Sequence, residues 1–253
     1  MSNSIVWEYI LNYLKCDGST DFTLTSEQIK ESGKQNKTLK SQFEARLLCK
    51  QDTYEGRPDI FKELGLFIIA IENGTYRLIK QNIYEILIYN STKPIIEIEK
   101  NTNSKILKIG NSETSLIDNL RYSGLFETED YLNEPITFGP LLNGRHRCSF
   151  ETKVGEINLS IKGVQYETDS CYESQNKILL IEGKSGEPES FNIRQLYFPY
   201  RSIYDEISGE KEIICLFITK DKKNIIHIWK YMFVDPLVMT SIKLINYMKY
   251  KFN

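Results

Sequence analysis

The stretch Lys177-Ile178-Leu179-Leu180-Ile181-Glu182-Gly183-Lys184 constrains this chain more than any other. Four successive aliphatic residues leave no polar face, so the segment reads as a central strand buried on both sides. Residues 212–219 (EIICLFIT) and 225–233 (IIHIWKYMF) repeat the pattern. Strands of this kind need cover on both faces. The fold class they imply is α/β (α+β), with helices covering the sheet.

The N-terminal third reads differently. Residues 4–15 place Ile5, Trp7, Ile10, Leu11 and Leu14 on one helical stripe. Thr25 or Ser26 can cap a second helix that carries Glu27 and Gln28 in its first turn and stops at Gly33. A third helix is predicted over 37–48, with Leu39, Phe43, Leu47 and Leu48 apolar. After a turn at Gly56-Arg57-Pro58 come a short helix at 60–64 and two strands, 66–71 and 75–79, joined by Glu72-Asn73-Gly74. Asn-Gly between two such strands is a hairpin signal. Three helices followed by a hairpin resemble a winged helix. That resemblance implies a DNA-docking helix at 37–48, and it nominates Lys34, Lys37, Lys40 and Arg46 as DNA contacts. Residues 30–50 carry six basic residues against two acids. The competing reading is a solvated helix face in a protein-contact unit. A linker-like stretch at 90–94 divides the chain into domains 1–90 and 91–253.

In the second part, residues 112–122 form a helix capped by Ser112 and ended by Gly124, and 143–147 (NGRHR) a polar turn. Strands are expected at 148–153, 156–162 and 164–168. A helix over 194–204 would be interrupted by Pro199. From Pro236 a closing helix would reach about residue 251, with Leu237, Ile242, Ile245 and Met248 apolar.

Composition excludes several classes. Lys+Arg total 32 and Asp+Glu 34, so no global basic signature marks a nucleic-acid binder. The N-terminus lacks the pattern of a signal peptide, and no apolar run spans a bilayer. Five scattered cysteines without a C-x-x-C pair suit a reduced, cytoplasmic chain and read as small core residues. Two histidines, His146 and His227, argue against zinc modules.

The chemistry concentrates at 164–184. Asp169 follows a strand-like stretch, Glu182 closes the apolar strand, and Lys184 shares its face by period-two alternation. Two carboxylates and an ammonium around one point suit metal-assisted phosphodiester hydrolysis, with Mg2+ as the hard, oxygen-seeking cation. The segment Phe191-Asn192-Ile193-Arg194-Gln195-Leu196-Tyr197-Phe198-Pro199-Tyr200-Arg201 follows directly. Together with Asp169 and Glu182-Gly183-Lys184 it resembles a group of type II restriction endonucleases of the PD-(D/E)xK nuclease superfamily, over roughly residues 110–235. In this sequence Thr168 replaces the motif's proline.

The resemblance implies a restriction-endonuclease-like core, a central mixed sheet flanked by helices, behind the winged-helix-like domain. It assigns Asp169, Glu182, Lys184 and Gln195 to catalysis, and Asp169, Glu182, the Gly183 carbonyl and Glu167 to the metal. Arg194 and Arg201 flank an aromatic run and are candidate phosphate contacts, with a core role for the aromatics and an acid partner for one arginine as the competing reading; Arg145 and Arg147 in the basic turn are further DNA-contact candidates. Glu113 is read as a helix-capping acid, with a reach to the metal, as first-helix acids make in some relatives, as the alternative; Glu173 as a solvated turn acid; and His227 as a packed or exposed strand residue, not a catalytic base. The implied function is Mg2+-dependent, sequence-specific cleavage of double-stranded DNA by a homodimer, leaving 5′-phosphate ends. A cognate DNA methyltransferase would be a separate protein, and no membrane is involved. The rival readings are a non-catalytic winged-helix DNA-binding regulator and a structure-specific DNA repair nuclease.

Overall fold

The computed structural model describes residues 3–18, 22–36, 43–101, 103–108 and 112–253. Helix α1 (Asn3–Tyr13) buries Val6, Trp7, Ile10 and Leu11. Ile5, expected on that stripe, is exposed, and Val6 takes the inward position. Strand β1 (Phe22–Thr25) leads into α2 (Ser26–Gln35) through a capping box. Gln28 N–H donates to Thr25 Oγ1, while Thr25 N–H donates to Gln28 Oε1, so two orphan donors of the first turn are satisfied. Gly33 does not stop this helix, which runs on to Gln35. Its role is room: a Cβ there would lie 2.6 Å from Phe43.

Helices α3 (Ala45–Leu48) and α4 (Asp59–Glu63) follow. Of the helix expected over 37–48, residues 45–48 are helical and 43–44 are not. Lys37, Leu39 and Lys40 lie outside the described residues. Strands β2 (Phe67–Glu72) and β3 (Thr75–Ile79) form the expected hairpin, and β1 pairs antiparallel with β3. Trp7, Leu24, Ile29, Leu48, Phe61 and Leu78 share one apolar core beneath it. The Trp7 indole N–H donates to the Leu48 carbonyl at 3.3 Å, so its one polar atom is satisfied on burial.

The rest of the chain runs β4 (Tyr84–Ile86), β5 (Ile95–Ile98), α5 (Glu113–Tyr122), β6 (Phe138–Leu141), β7 (Gly144–Val154), β8 (Ile157–Thr168), β9 (Ser170–Glu173), β10 (Lys177–Ser185), β11 (Ser190–Asn192), α6 (Arg194–Glu206), β12 (Glu212–Lys220), β13 (Ile226–Phe233) and β14 (Ile242–Phe252). The fold is mixed α/β, with six α-helices among the described residues. Contacts divide the chain into two compact units. One comprises residues 1–86, 148–164 and 189–192; the other comprises 87–147, 165–188 and 193–253. The chain therefore returns to its first unit twice, which no single boundary along the sequence can express.

The second unit holds a seven-stranded sheet in the order β5-β14-β13-β12-β10-β9-β6. Strand β10 pairs parallel with β12 and antiparallel with β9, so the sheet is mixed. The crossover between β10 and β12 runs through α6. On one face Ile117 and Leu120 of α5 pack with Leu179, Ile181, Leu216 and Ile218. Helix α6 sets Tyr197 and Tyr200 against Phe233 of β13. The apolar run of β10 is thus the central strand its sequence demands.

Three expectations fail here. The closing helix after Pro236 is strand β14, antiparallel to β13. Its register shifts between Lys230 and Tyr231, whose partners are Asn246 and Leu244. Ile245 is the extra residue of a bulge, and that insertion breaks period two and mimics a helical stripe. Pro199 does not interrupt α6, which stays helical through it. Residues 144–147 are not a turn but the opening of β7.

Candidate active site at the end of strand β10

Asp169 sits at the bend between β8 and β9. Because Ile181 opposes Ser170 across the β9–β10 pair, Asp169 lies beside the Glu182–Gly183 peptide. The Gly183 N–H donates to Asp169 Oδ2 at 2.7 Å. Alternation points Glu182 and Lys184 to one side, where Lys184 Nζ donates to Glu182 Oε1 at 2.6 Å. Gln195, in the first turn of α6, donates through Nε2 to the same Oε1 at 2.7 Å. Four sequence-nominated residues from β10, α6 and the β8–β9 bend therefore converge.

Glu113 joins them from α5. It does not cap its own helix: Ser112 accepts from Ser115 N–H, and Glu113 Oε1 accepts from Ser185 N–H at 2.7 Å. Nothing in the sequence distinguishes this acid from an ordinary first-turn glutamate. Gly183 permits the approach, since a Cβ there would sit 3.4 Å from both Glu113 Cβ and Ile117 Cδ1. A glycine between the Glu and Lys of the motif is the visible sign of that close packing.

The electrostatics show a deficit of positive charge. Burial pushes the Glu182 carboxyl up to about 7; Lys184 opposes this, and Asp169 and Glu113 reinforce it. Burial also raises Asp169, against the Gly183 N–H and Lys184, with Glu113 and Glu167 adding to the rise. Burial alone would pull Lys184 down, but Glu182, Asp169 and Glu113 outweigh it, and the net direction is up. Three interacting carboxylates face one ammonium.

No three His, Cys, Asp or Glu side chains form a ready-made metal centre among the described residues. The residues nevertheless fit a magnesium ion, which keeps several waters and asks for few protein ligands. Asp169 and Glu182 each have one oxygen outside the bonds just described. The Gln195 carbonyl oxygen is buried and makes no hydrogen bond, an orphan acceptor of the sort a hydrated cation satisfies.

An open cleft of about 420 Å³ adjoins the site, lined by Thr114, Asp118, Pro140, Asn143, Gly144 and residues 167–170. Asp118, not anticipated from the sequence, is raised by burial. Glu167 lines this cleft with Asp169, but its Oε1 accepts from Arg145 Nε at 2.8 Å.

The remaining nominees scatter. Arg147 is exposed on β7. Arg194 is half-buried at the start of α6, while Arg201 is buried, paired with Asp205 and set over the Tyr204 ring. Lys34 pairs with Glu31 at 3.3 Å and Arg46 is exposed on α3. Glu173 is no free turn acid: it lies in β9 and accepts from Lys211 Nζ at 2.6 Å. His227 is packed, with Nδ1 2.7 Å from the Tyr247 hydroxyl. Cys148, Cys171 and Cys215 are buried, and burial raises each thiol, which removes nucleophilic character. No helix of the described residues is long and apolar enough to cross a membrane.

Residues 79–251 match a family described as a domain of unknown function (DUF6997), and residues 4–78 match a second one (DUF6996). No curated protein and no solved structure matches the chain.

Proposed function

The chain belongs to the DUF6997 family, and from that premise we propose that it is a magnesium-dependent endonuclease that cuts double-stranded DNA at a defined sequence, as a type II restriction enzyme does. The observation that carries this reading is the convergence of Asp169, Glu182, Lys184 and Gln195 at one end of β10. The order α5, antiparallel strands, α6, parallel strand β12 supports a restriction-endonuclease-like core. The helices and the β1-β3-β2 part of the five-stranded sheet β1-β3-β2-β8-β7 support a winged-helix-like DNA-anchoring unit.

Asp169, Glu182 and the Gly183 carbonyl would hold the magnesium ion, with Glu113 close by. When bound, the ion supplies charge that polarises the phosphoryl group and lowers the pKa of water beside it. The chain's own part follows from its bonds. Gln195 and Lys184 both donate to Glu182 Oε1, which fixes that carboxylate and leaves its other oxygen outside these two bonds. Gly183 N–H holds Asp169 from behind. Lys184 lies against Glu182 with its Nζ at 2.6 Å from Oε1. It therefore acts as a positive group that orients the attacking water and steadies the charge developing on phosphorus, not as a base. Attack in line expels the 3′ oxygen and leaves a 5′-phosphate.

The direct test is to incubate the protein with plasmid and genomic duplex DNA in Mg2+ or in EDTA and to sequence the ends. Fragments with one shared terminal sequence in Mg2+ alone are expected. Ends without a shared sequence would point to a structure-specific repair nuclease. Duplex binding without cleavage would point to a regulator.

A further inference from the structure

From the contact between Arg145 and Glu167 we infer that Arg145 is a base-reading residue that recognises a guanine in the DNA major groove, and that Glu167 is its positioning residue rather than a metal ligand. The inference rests on the endonuclease reading. Arg145 Nε donates to Glu167 Oε1 at 2.8 Å, and both side chains are more than 60% exposed (69% and 61%). An exposed pair of this kind adds little to folding, so stability does not account for it. What it does is set Arg145 beside Glu167, which lines the cleft that contains Asp169.

Strands β7 and β8 beneath are hydrogen-bonded neighbours, β7 at the edge of the sheet β1-β3-β2-β8-β7. Alternation sends Arg145, Arg147, Gln165 and Glu167 outward from the ends of β7 and β8. His146 stacks on Tyr166 with ring centroids 5.7 Å apart, and the Tyr166 hydroxyl reaches Ser202 of α6 at 3.3 Å. Glu167 engages Nε and leaves the terminal amino groups for a second partner. A two-stranded ribbon fits the major groove, where guanine O6 and N7 accept a bidentate arginine. Phosphate is the poorer partner, because the carboxylate at 2.8 Å cancels the guanidinium charge and repels an anion. A neutral base edge carries no such penalty. The position two residues before Asp169 places the base so read next to the bond that is cut.

The test uses the full chain and the duplex defined by its own cleavage ends. Each guanine is replaced singly by 7-deazaguanine, which lacks the N7 acceptor, and affinity is measured in EDTA. One replacement should weaken the wild type about tenfold. Arg145→Ala should lose at least that much on the parent duplex and no longer sense that replacement. Arg145→Lys, which keeps the charge but not the fork, should behave like Arg145→Ala. Glu167→Gln should keep general affinity and lose most of the discrimination. The inference is overturned if Arg145→Ala weakens parent and scrambled duplexes equally while Arg145→Lys restores both, the behaviour of a phosphate contact. It is also overturned if no guanine replacement matters. In either case a wild type that still cuts at one sequence leaves the endonuclease reading standing. A wild type that never cuts duplex DNA in Mg2+ removes both.

Discussion

Two charged regions of this molecule look equally functional on paper and prove physically unlike. One is the acid-rich end of β10 and the other is the basic stretch at 30–50. At β10 the charges are desolvated and interlocked across elements distant in sequence: Asp169 with Gly183, Glu113 with Ser185, Gln195 with Glu182. In the basic stretch the described charges are solvated and local, as in Lys34 with Glu31 one helical turn away. A buried charge costs free energy unless something compensates it, so a cluster that keeps several needs a reason. A solvated lysine needs none. The difference teaches that the two regions carry different weights: removing a β10 charge should abolish chemistry, whereas removing a basic side chain should only trim affinity.

Lys184→Ala tests the heavier side. Cleavage in Mg2+ should fall on the order of a thousandfold, with the circular dichroism spectrum unchanged. Cutting at the wild-type rate would end the catalytic assignment. Next comes the pH response of the metal-free protein. The Glu182 carboxyl is raised to about 7 in the fold from its ordinary 4.5. Its protonated form is therefore favoured by folding, and that contribution is whole below pH 4.5 and lost as pH rises through about 7. Melting in EDTA should drop by roughly 5 °C between pH 5.5 and 8, and Glu182→Gln should flatten that slope. A slope unaltered in Glu182→Gln would mean that the burial cost is relieved elsewhere.

In the first unit, Thr25→Ala removes the capping box and should cost about 1 kcal/mol, read from denaturant midpoints, with no change in the rate of cleavage of bound DNA. The smallest effect is expected for Lys34→Ala and Arg46→Ala. Each should weaken duplex affinity about threefold at low salt and less at high salt, with the cleaved sequence unchanged. A change in cleaved sequence would instead make this unit a reader and reverse the comparison.

Much of this architecture was legible. The capping signal at Thr25, the Asn73-Gly74 hairpin, the Ser112 cap and the buried run of β10 are local features, and each appears in place. The Glu182–Lys184 relation was also legible, because alternation along one strand needs no tertiary knowledge. The failures share a cause. Strand β14 was mistaken for a helix because the bulge at Ile245 disrupts its period. Residues 144–147 looked like a turn because their partners in β8 lie about twenty residues on. Arg201, open in the sequence to phosphate or to an acid partner, takes Asp205 one helical turn away in α6.

The sequence by itself determined which strand is buried on both faces, where α2 and α5 begin, and that an acid, a Glu and a Lys share one strand end. These follow from side-chain chemistry and short-range periodicity, which act within a few residues. The tertiary structure decided that Glu113 reaches Ser185, that Gln195 grips Glu182, and that Arg145 reaches Glu167. The first two join α5 and α6 to β10 across intervening elements, and the third joins the far ends of the consecutive strands β7 and β8. Only the packing of both helices on the sheet brings such groups within hydrogen-bond reach and removes the water that would otherwise screen them.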